Sequence, residues 1–266
     1  QRAPSFCRNH SIRFRLFFAF LFVMNIPFEG TLFAMQQPEA AVGQTALRGN
    51  PASQMTSRNQ KFETLGEAVM DALKDGTAAD GLIKTDLVFA SEEEVFSFGR
   101  YYYRYIYLGK EEVTLYSSDE NGEYAVYISC ENPDRAVSEH RQVQDRLSDV
   151  VKACQTLGDR EKAEYFYHWV YENVSYDQTL ENRTVYDAVI NGSSVCWGYV
   201  SAYLMLCRDA GLICEPVYAG NHAWNRTWID GEWRYCDITW DKSLGSSSWK
   251  FLTQKEMDSD SMHNNL

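Results

Sequence analysis

The sequence predicts an α+β protein. Apolar residues recur at helical spacing over 62–73, 143–154 and 200–207, and alternating apolar and aromatic runs flank two turn signals, Asn121-Gly122 and Asp230-Gly231. All seven tryptophans fall between residues 169 and 249, so an aromatic core belongs to the last third. With 266 residues, 45% hydrophobic and 14% aromatic, the chain suits one large domain or two small ones and is too aromatic for a disordered protein. Against 25 basic residues stand 37 acidic ones, a formal charge of −12, which makes a nucleic-acid partner a poor candidate. Seven cysteines are too sparse for a disulfide scaffold.

Reading from the first residue, Arg2, Arg8, Arg13 and Arg15 precede or border an unbroken apolar run from Leu16 to Met24, with Pro27 just beyond. That is the layout of a secretory leader over residues 1–35. The run is too short for a bilayer, which needs about 20 apolar residues. The chain is therefore expected to be secreted or held in the cell envelope, with its mature start between roughly residues 30 and 40 and no stable membrane span once the leader is removed. Residues 36–60 are small and polar, a flexible linker, and order is expected to begin near Phe62.

Residues 61–157 form an accessory α+β region in this reading. Leu65, Val69, Met70 and Leu73 mark a helix stopped by Gly76. Ser91 with Glu94 matches a capping box, and a capped, solvated first turn explains Glu92–Glu94 better than a metal or acid–base role. Tyr101–Tyr107 fits helix and strand equally. Val113–Tyr116 and Tyr124–Ile128 around Asp119-Glu-Asn-Gly122 predict a β-hairpin, and residues 135–157 a helix with Val143, Leu147, Val150, Val151 and Cys154 on one stripe. Asp159 sits where an N-cap belongs, ahead of an aromatic helix carrying Tyr165, Phe166, Trp169 and Val170. His168 within it reads as a packed residue. The sequence holds no G-x-x-x-x-G-K-[ST] phosphate loop, no H-E-x-x-H and no paired C-x-x-C zinc spacing.

The chemistry concentrates in residues 158–255, which form the expected catalytic core, with 256–266 a tail. Gly192-Ser-Ser194 makes a turn and cap; Val200, Tyr203, Leu204 and Cys207 give a helical apolar face, and Gly211 ends the helix. Cys196 thus lies in a first helical turn, where free N–H groups and the helix dipole favour the nucleophilic thiolate. Alone, such a cysteine reads as a small buried hydrophobe. Downstream, Asp230-Gly231 demands a two-residue hairpin whose register sets Ile229 against Glu232, Trp228 against Trp233, Trp224 against Asp237 and His222 against Thr239. His222 and Asp237 then share a face as diagonal neighbours. Without a nucleophile, that pair reads equally well as a structural hydrogen bond. With Cys196 upstream it reads as a Cys–His–Asp triad: a thiol that attacks a carbonyl carbon, an imidazole that carries its proton, and a carboxylate that orients the imidazole. Cys236 points to the opposite face and reads as packing. Asp241→Asn, just past Trp240, is expected to do little to turnover. Four N-x-[ST] sequons, at Asn173, Asn182, Asn191 and Asn225, read as chance.

Gly192-Ser-Ser-Val-Cys196-Trp-Gly-Tyr, Gly211-Leu-Ile, Gly220-Asn-His222-Ala-Trp-Asn, Asp230-Gly-Glu-Trp233 and Asp237-Ile-Thr-Trp240-Asp together resemble the transglutaminase-like superfamily, as do Tyr176-Asp and Thr184-Val-Tyr-Asp-Ala188. The resemblance covers roughly residues 160–253 and is similar to small exported bacterial members. It implies a papain-like fold, with Cys196 as nucleophile, His222 as general base and acid, and Asp237 as orienting group. The family's side-chain oxyanion donor has two candidates, Trp169 and Tyr176. No metal or cofactor is called for. The implied function is acyl transfer at amide bonds through a thioester, by hydrolysis, deamidation or cross-linking, on a protein or peptide substrate, cell-wall peptide included. The alternative is a catalytically silent binding module that keeps the fold at the cell surface.

Overall fold

Residues 12–13, 52–76 and 81–263 are described by a computed structural model of the chain. The apolar run 16–24 and the spacer up to residue 51 lie outside the described residues. Strand β1 (Ile12–Arg13) pairs with Ser117 and Tyr116. Helix α1 (Ala52–Asp75) begins well ahead of Phe62, so the polar segment 52–60 propagates the helix that the apolar stripe anchors.

In the accessory region, β2 (Ile83–Phe89) alternates buried and exposed residues with the strand period of two. Helix α2 (Glu92–Tyr101) is capped by Ser91, whose hydroxyl accepts from the Glu94 N–H. The tyrosine run continues α2 into a π-turn, Tyr102–Ile106, closed by the Tyr107 N–H on the Tyr102 carbonyl at 2.9 Å. Strands β3 (Val113–Glu120) and β4 (Glu123–Cys130) form the expected hairpin, with Asn121 and Gly122 both left-handed at φ 64° and 89°. The antiparallel sheet runs β1-β3-β4-β2. Phe62, Val69 and Leu73 of α1 pack on it with Phe98, Tyr102, Leu115 and Ile128.

Helix α3 (Pro133–Ala153) opens with Asn132 accepting the Arg135 N–H and a proline in the first turn. It serves both regions: Val143, Leu147, Val150 and Cys154 join the C-terminal core, although the sequence grouped them with the accessory region. Helix α4 (Asp159–Asn173) starts one residue earlier than expected: Gly158 is the cap, its N–H donating to the Glu161 carboxylate at 2.9 Å, and Asp159 is the first helical residue. Strand β5 (Ser175–Tyr176), helix α5 (Val185–Val189), strand β6 (Ser193–Ser194) and helix α6 (Cys196–Asp209) follow. Then come β7 (Cys214–Ala219), β8 (His222–Ile229), β9 (Glu232–Cys236), α7 (Ile238–Leu244) and α8 (Gln254–Met257).

The buried centre of the core is the apolar helix α6, through Tyr199, Tyr203, Leu204 and Leu206, with Phe166 and Val170 of α4 against it. The antiparallel sheet β7-β8-β9 lies alongside. Lys110 reaches across from the accessory region to the buried Asp187 of α5 at 2.7 Å, and the Arg208 guanidinium of α6 donates to the Tyr105 carbonyl. Among the described residues, six cysteines are free and no helix is long and apolar enough to cross a membrane.

The β8–β9 register is the one the turn demands, Ile229 on Glu232, Trp228 on Trp233 and Asn225 on Cys236, with Asp230 and Gly231 at φ 55° and 84°. Two expected pairs, Trp224 with Asp237 and His222 with Thr239, are absent. β9 stops at Cys236, and Asp237 caps α7 by accepting the Trp240 N–H at 2.9 Å. Thr239 is therefore helical and does not face His222 across a ladder. A carboxylate before Ile-Thr-Trp satisfies an orphan helix donor, and that local bond overrides the strand alternation.

Candidate active site

Cys196 is the first residue of α6 and is nearly buried, at 9% exposure. A chain of local bonds holds that helix start in place. The Asp177 carboxylate accepts the N–H groups of Asn182, Thr179 and Glu181 and the Thr179 hydroxyl; the Asn182 N–H chiefly, then the Thr179 hydroxyl, hold its pKa down to about 2. The loop so fixed offers the Asn182 carbonyl to the Val195 N–H at 2.9 Å and to the Ser194 hydroxyl at 3.0 Å. Gly198, two residues after the thiol, has no room for a side chain: a Cβ there would stand 2.1 Å from the Ser194 hydroxyl and 3.0 Å from the Thr184 carbonyl.

His222 opens β8 opposite Ala219. Its Nε2 lies 2.5 Å from Asp237 Oδ2, and it also hydrogen-bonds the Cys196 thiol. With Nε2 engaged by the carboxylate, Nδ1 is the ring nitrogen left for sulfur. Trp224 and Trp240 stack on the imidazole with centroids 5.8 and 5.7 Å away. Burial alone would lower the His222 pKa, but the bonds to Asp237 and Cys196 outweigh it and raise it to about 9. Asp237 is fully buried; burial pushes its carboxyl up, and the bonds from His222, His263 and the Trp240 N–H bring it below its ordinary value. The structure thus brings Cys196, His222 and Asp237 together in one continuous contact.

Of the two oxyanion candidates, the Tyr176 phenol is raised by burial first and then by the charge of Cys196. Trp169 packs on the core with the Arg146 guanidinium 5.5 Å over its ring. His168 meets Lys250 at the surface, away from any acid–base pair. Asn225, one of the sequons, is buried and donates to the Val200 carbonyl at 3.1 Å, so it cannot carry a glycan.

Two residues hold structural roles that the sequence did not signal. Asp241 is fully buried, accepting the Tyr167 hydroxyl at 2.5 Å, the Ser246 hydroxyl at 2.8 Å and the Trp249 N–H at 3.1 Å. It knits α4, α7 and the following loop together, a structural role distinct from turnover. His263, in the segment read as a tail, is fully buried with Nε2 3.1 Å from Asp237 Oδ2. No spacing pattern marks it; the only cue is a histidine beside Met262 in a polar stretch.

The donor atoms of His222, Asp237 and His263 lie within 4.8 Å of one another. At 2.5 Å, the His222–Asp237 separation accommodates a shared hydrogen; a cation bonded to both at about 2.0–2.1 Å would be held at an angle far below tetrahedral. The cluster is a hydrogen-bonded relay.

Burial raises the thiols of Cys130, Cys154, Cys207 and Cys236, whereas Cys196 faces an imidazole. Iodoacetamide at neutral pH is therefore expected to alkylate Cys196 before the more exposed Cys130. Peptide mapping by mass spectrometry checks this, and Cys130 labelled first would contradict it.

The site thus sets a thiol at a helix start beside an imidazole that opens a hairpin strand and a carboxylate that caps the helix after it. Residues 145–238 match the sequence model of the transglutaminase-like superfamily. The chain is similar to the human protein named kyphoscoliosis peptidase, 25% identical over 120 residues, and to its mouse counterpart, 24% identical over 120 residues. Each match covers 37% of this chain and 18% of the relative, so the chain spans under a fifth of their length. A solved structure described as that of a TGase is 14% identical, with 47% of this chain and 43% of that one covered and a TM-score of 0.32.

Proposed function

We propose that the chain is a thiol enzyme that transfers acyl groups at amide bonds of a peptide or protein substrate. The observation that carries this reading is a single imidazole bonded on one side to a helix-start thiol and on the other to a buried carboxylate. His222 Nδ1 already holds the Cys196 proton, and the thiolate attacks the amide carbonyl carbon. The C–N bond then breaks, and the leaving amine takes that proton from the imidazole, leaving a thioester on Cys196. Water or a second amine attacks the thioester and gives its proton to His222, and the C–S bond breaks to release the thiolate beside the recharged imidazole. Asp237 holds the ring and stabilises its charged form throughout. The Cys196 backbone N–H at the start of α6 is the donor on offer to the oxyanion.

The test is turnover of a dye-labelled glutamine-containing peptide, read for cleavage, for ammonia release and for incorporation of a primary amine. Wild type should act in at least one mode and Cys196→Ala in none; equal turnover by both would sink the reading. The pH dependence has a defined sign. His222 is raised from 6.5 to about 9, so its charged form, and the stability that form contributes, is complete below pH 6.5 and is lost as pH rises through about 9. The leaving amine needs a proton from that imidazolium, so kcat/KM should fall on an alkaline limb near pH 9.

A further inference from the structure

The Asp237 carboxylate carries more than its role toward His222 requires. Oδ1 caps α7, and Oδ2 faces two imidazoles, His222 at 2.5 Å and His263 at 3.1 Å. His263 is fully buried, and its other nitrogen, Nδ1, lies 3.2 Å from Asp260 Oδ1. Three indole rings fix its plane: Trp249 stacks on it at 4.5 Å, while Trp240 at 4.6 Å and Trp224 at 4.7 Å meet it edge to face. Trp224 and Trp240 are also the rings that stack on His222. One pair of indoles therefore sets the orientation of both imidazoles that converge on Oδ2.

We propose that His263 is a positioning residue for the site: it donates from Nε2 to Asp237 Oδ2 and fixes that oxygen where it orients the His222 ring. The relay then runs Cys196, His222, Asp237, His263, Asp260. A buried carboxylate oxygen holding a charged imidazole is worth most when its direction is set beforehand, because any rotation of the carboxyl lengthens the bond that raises His222. The titratable groups facing His263 are Asp237 and Asp260 at its nitrogens and His222 across a 6.1 Å edge-to-face contact; the rest of its surroundings are indoles. This proposal rests on the acyl-transfer reading for its catalytic consequence, but its structural claim can be measured without a substrate.

Two amide variants separate positioning from mere packing. His263→Gln can place an amide N–H where Nε2 stood, toward Asp237. His263→Asn reaches only the Nδ1 position, toward Asp260. In full-length chain labelled with ¹⁵N-histidine, the His222 imidazole should titrate near pH 9 in wild type and within a few tenths of a unit of it in His263→Gln. In His263→Asn it should titrate lower, toward 6.5, as Asp237 loses its fixed direction. Where turnover is present, kcat should fall roughly ten- to a hundredfold in His263→Asn with KM little changed, the size of one hydrogen bond to a buried charge, and His263→Gln should restore most of it. Equal His222 titrations in the two variants, or failure of both to fold, would overturn the proposal and leave His263 a packing residue. A wild type whose His222 titrates as expected but which turns over no amide would overturn the acyl-transfer reading alone.

Discussion

Asp237→Asn should fold like wild type and lose turnover by about 10³–10⁴-fold, as in the analogous serine triad. The fold survives because asparagine is as good an N-cap as aspartate, and its carbonyl can still accept the Trp240 N–H. The chemistry does not. An amide NH₂ placed at Oδ2 donates to His222 Nε2, which drives the ring proton to Nδ1, the nitrogen that must accept the thiol proton. His222 also loses the carboxylate that lifts its pKa to about 9, so the residual activity should show its alkaline limb at lower pH. Steady-state rates with circular dichroism on the same samples decide the matter. A folded variant within tenfold of wild type would remove Asp237 from the triad.

Asp241→Asn, four residues on, should do the opposite: little to the rate per folded molecule and about 2–4 kcal/mol to stability. Asp241 takes donors from Tyr167, Ser246 and Trp249, so an amide nitrogen in place of either oxygen sets donor against donor in a site with no exposure. The Tyr167 phenol, raised by burial and then by its bond to Asp241, cannot ionise to repair the clash. Urea unfolding should show a lower midpoint at unchanged slope. A variant as stable as wild type would show that the three bonds are replaceable.

Much of the site was legible because its determinants are local. Gly192-Ser-Ser194 and Gly211 bracket a helix, which puts Cys196 in its first turn, and Asp230-Gly231 leaves the ladder one register, which brings His222 near Asp237. What escaped is non-local or contested between two local rules. The alternation of Trp233, Tyr235 and Asp237 continues to Thr239 on paper, yet the cap at Asp237 turns the chain into α7. Tyr101–Tyr107 offered no apolar period, and a continuing helix relaxed by a π-turn accommodates the run of rings. His263 lies 26 residues from Asp237, and the indoles that orient it come from three segments. No sequence period encodes such a gathering. The structural role of Asp241 escaped for the same reason, since its partner Tyr167 is 74 residues away.

The two-residue turn at Asp230-Gly231 has a consequence for the order in which the protein assembles. A hairpin with so short a loop closes in about 1–10 μs, whereas contacts across tens of residues wait on loop-closure entropy. β8 and β9 should therefore pair early, bringing the chain on either side of His222 and Asp237 close before the core is complete. The thiol, on a helix braced by the loop from Asp177 to Asn182, has to dock against a partner already in place. On this route Cys196 should meet His222 only when the tertiary core closes.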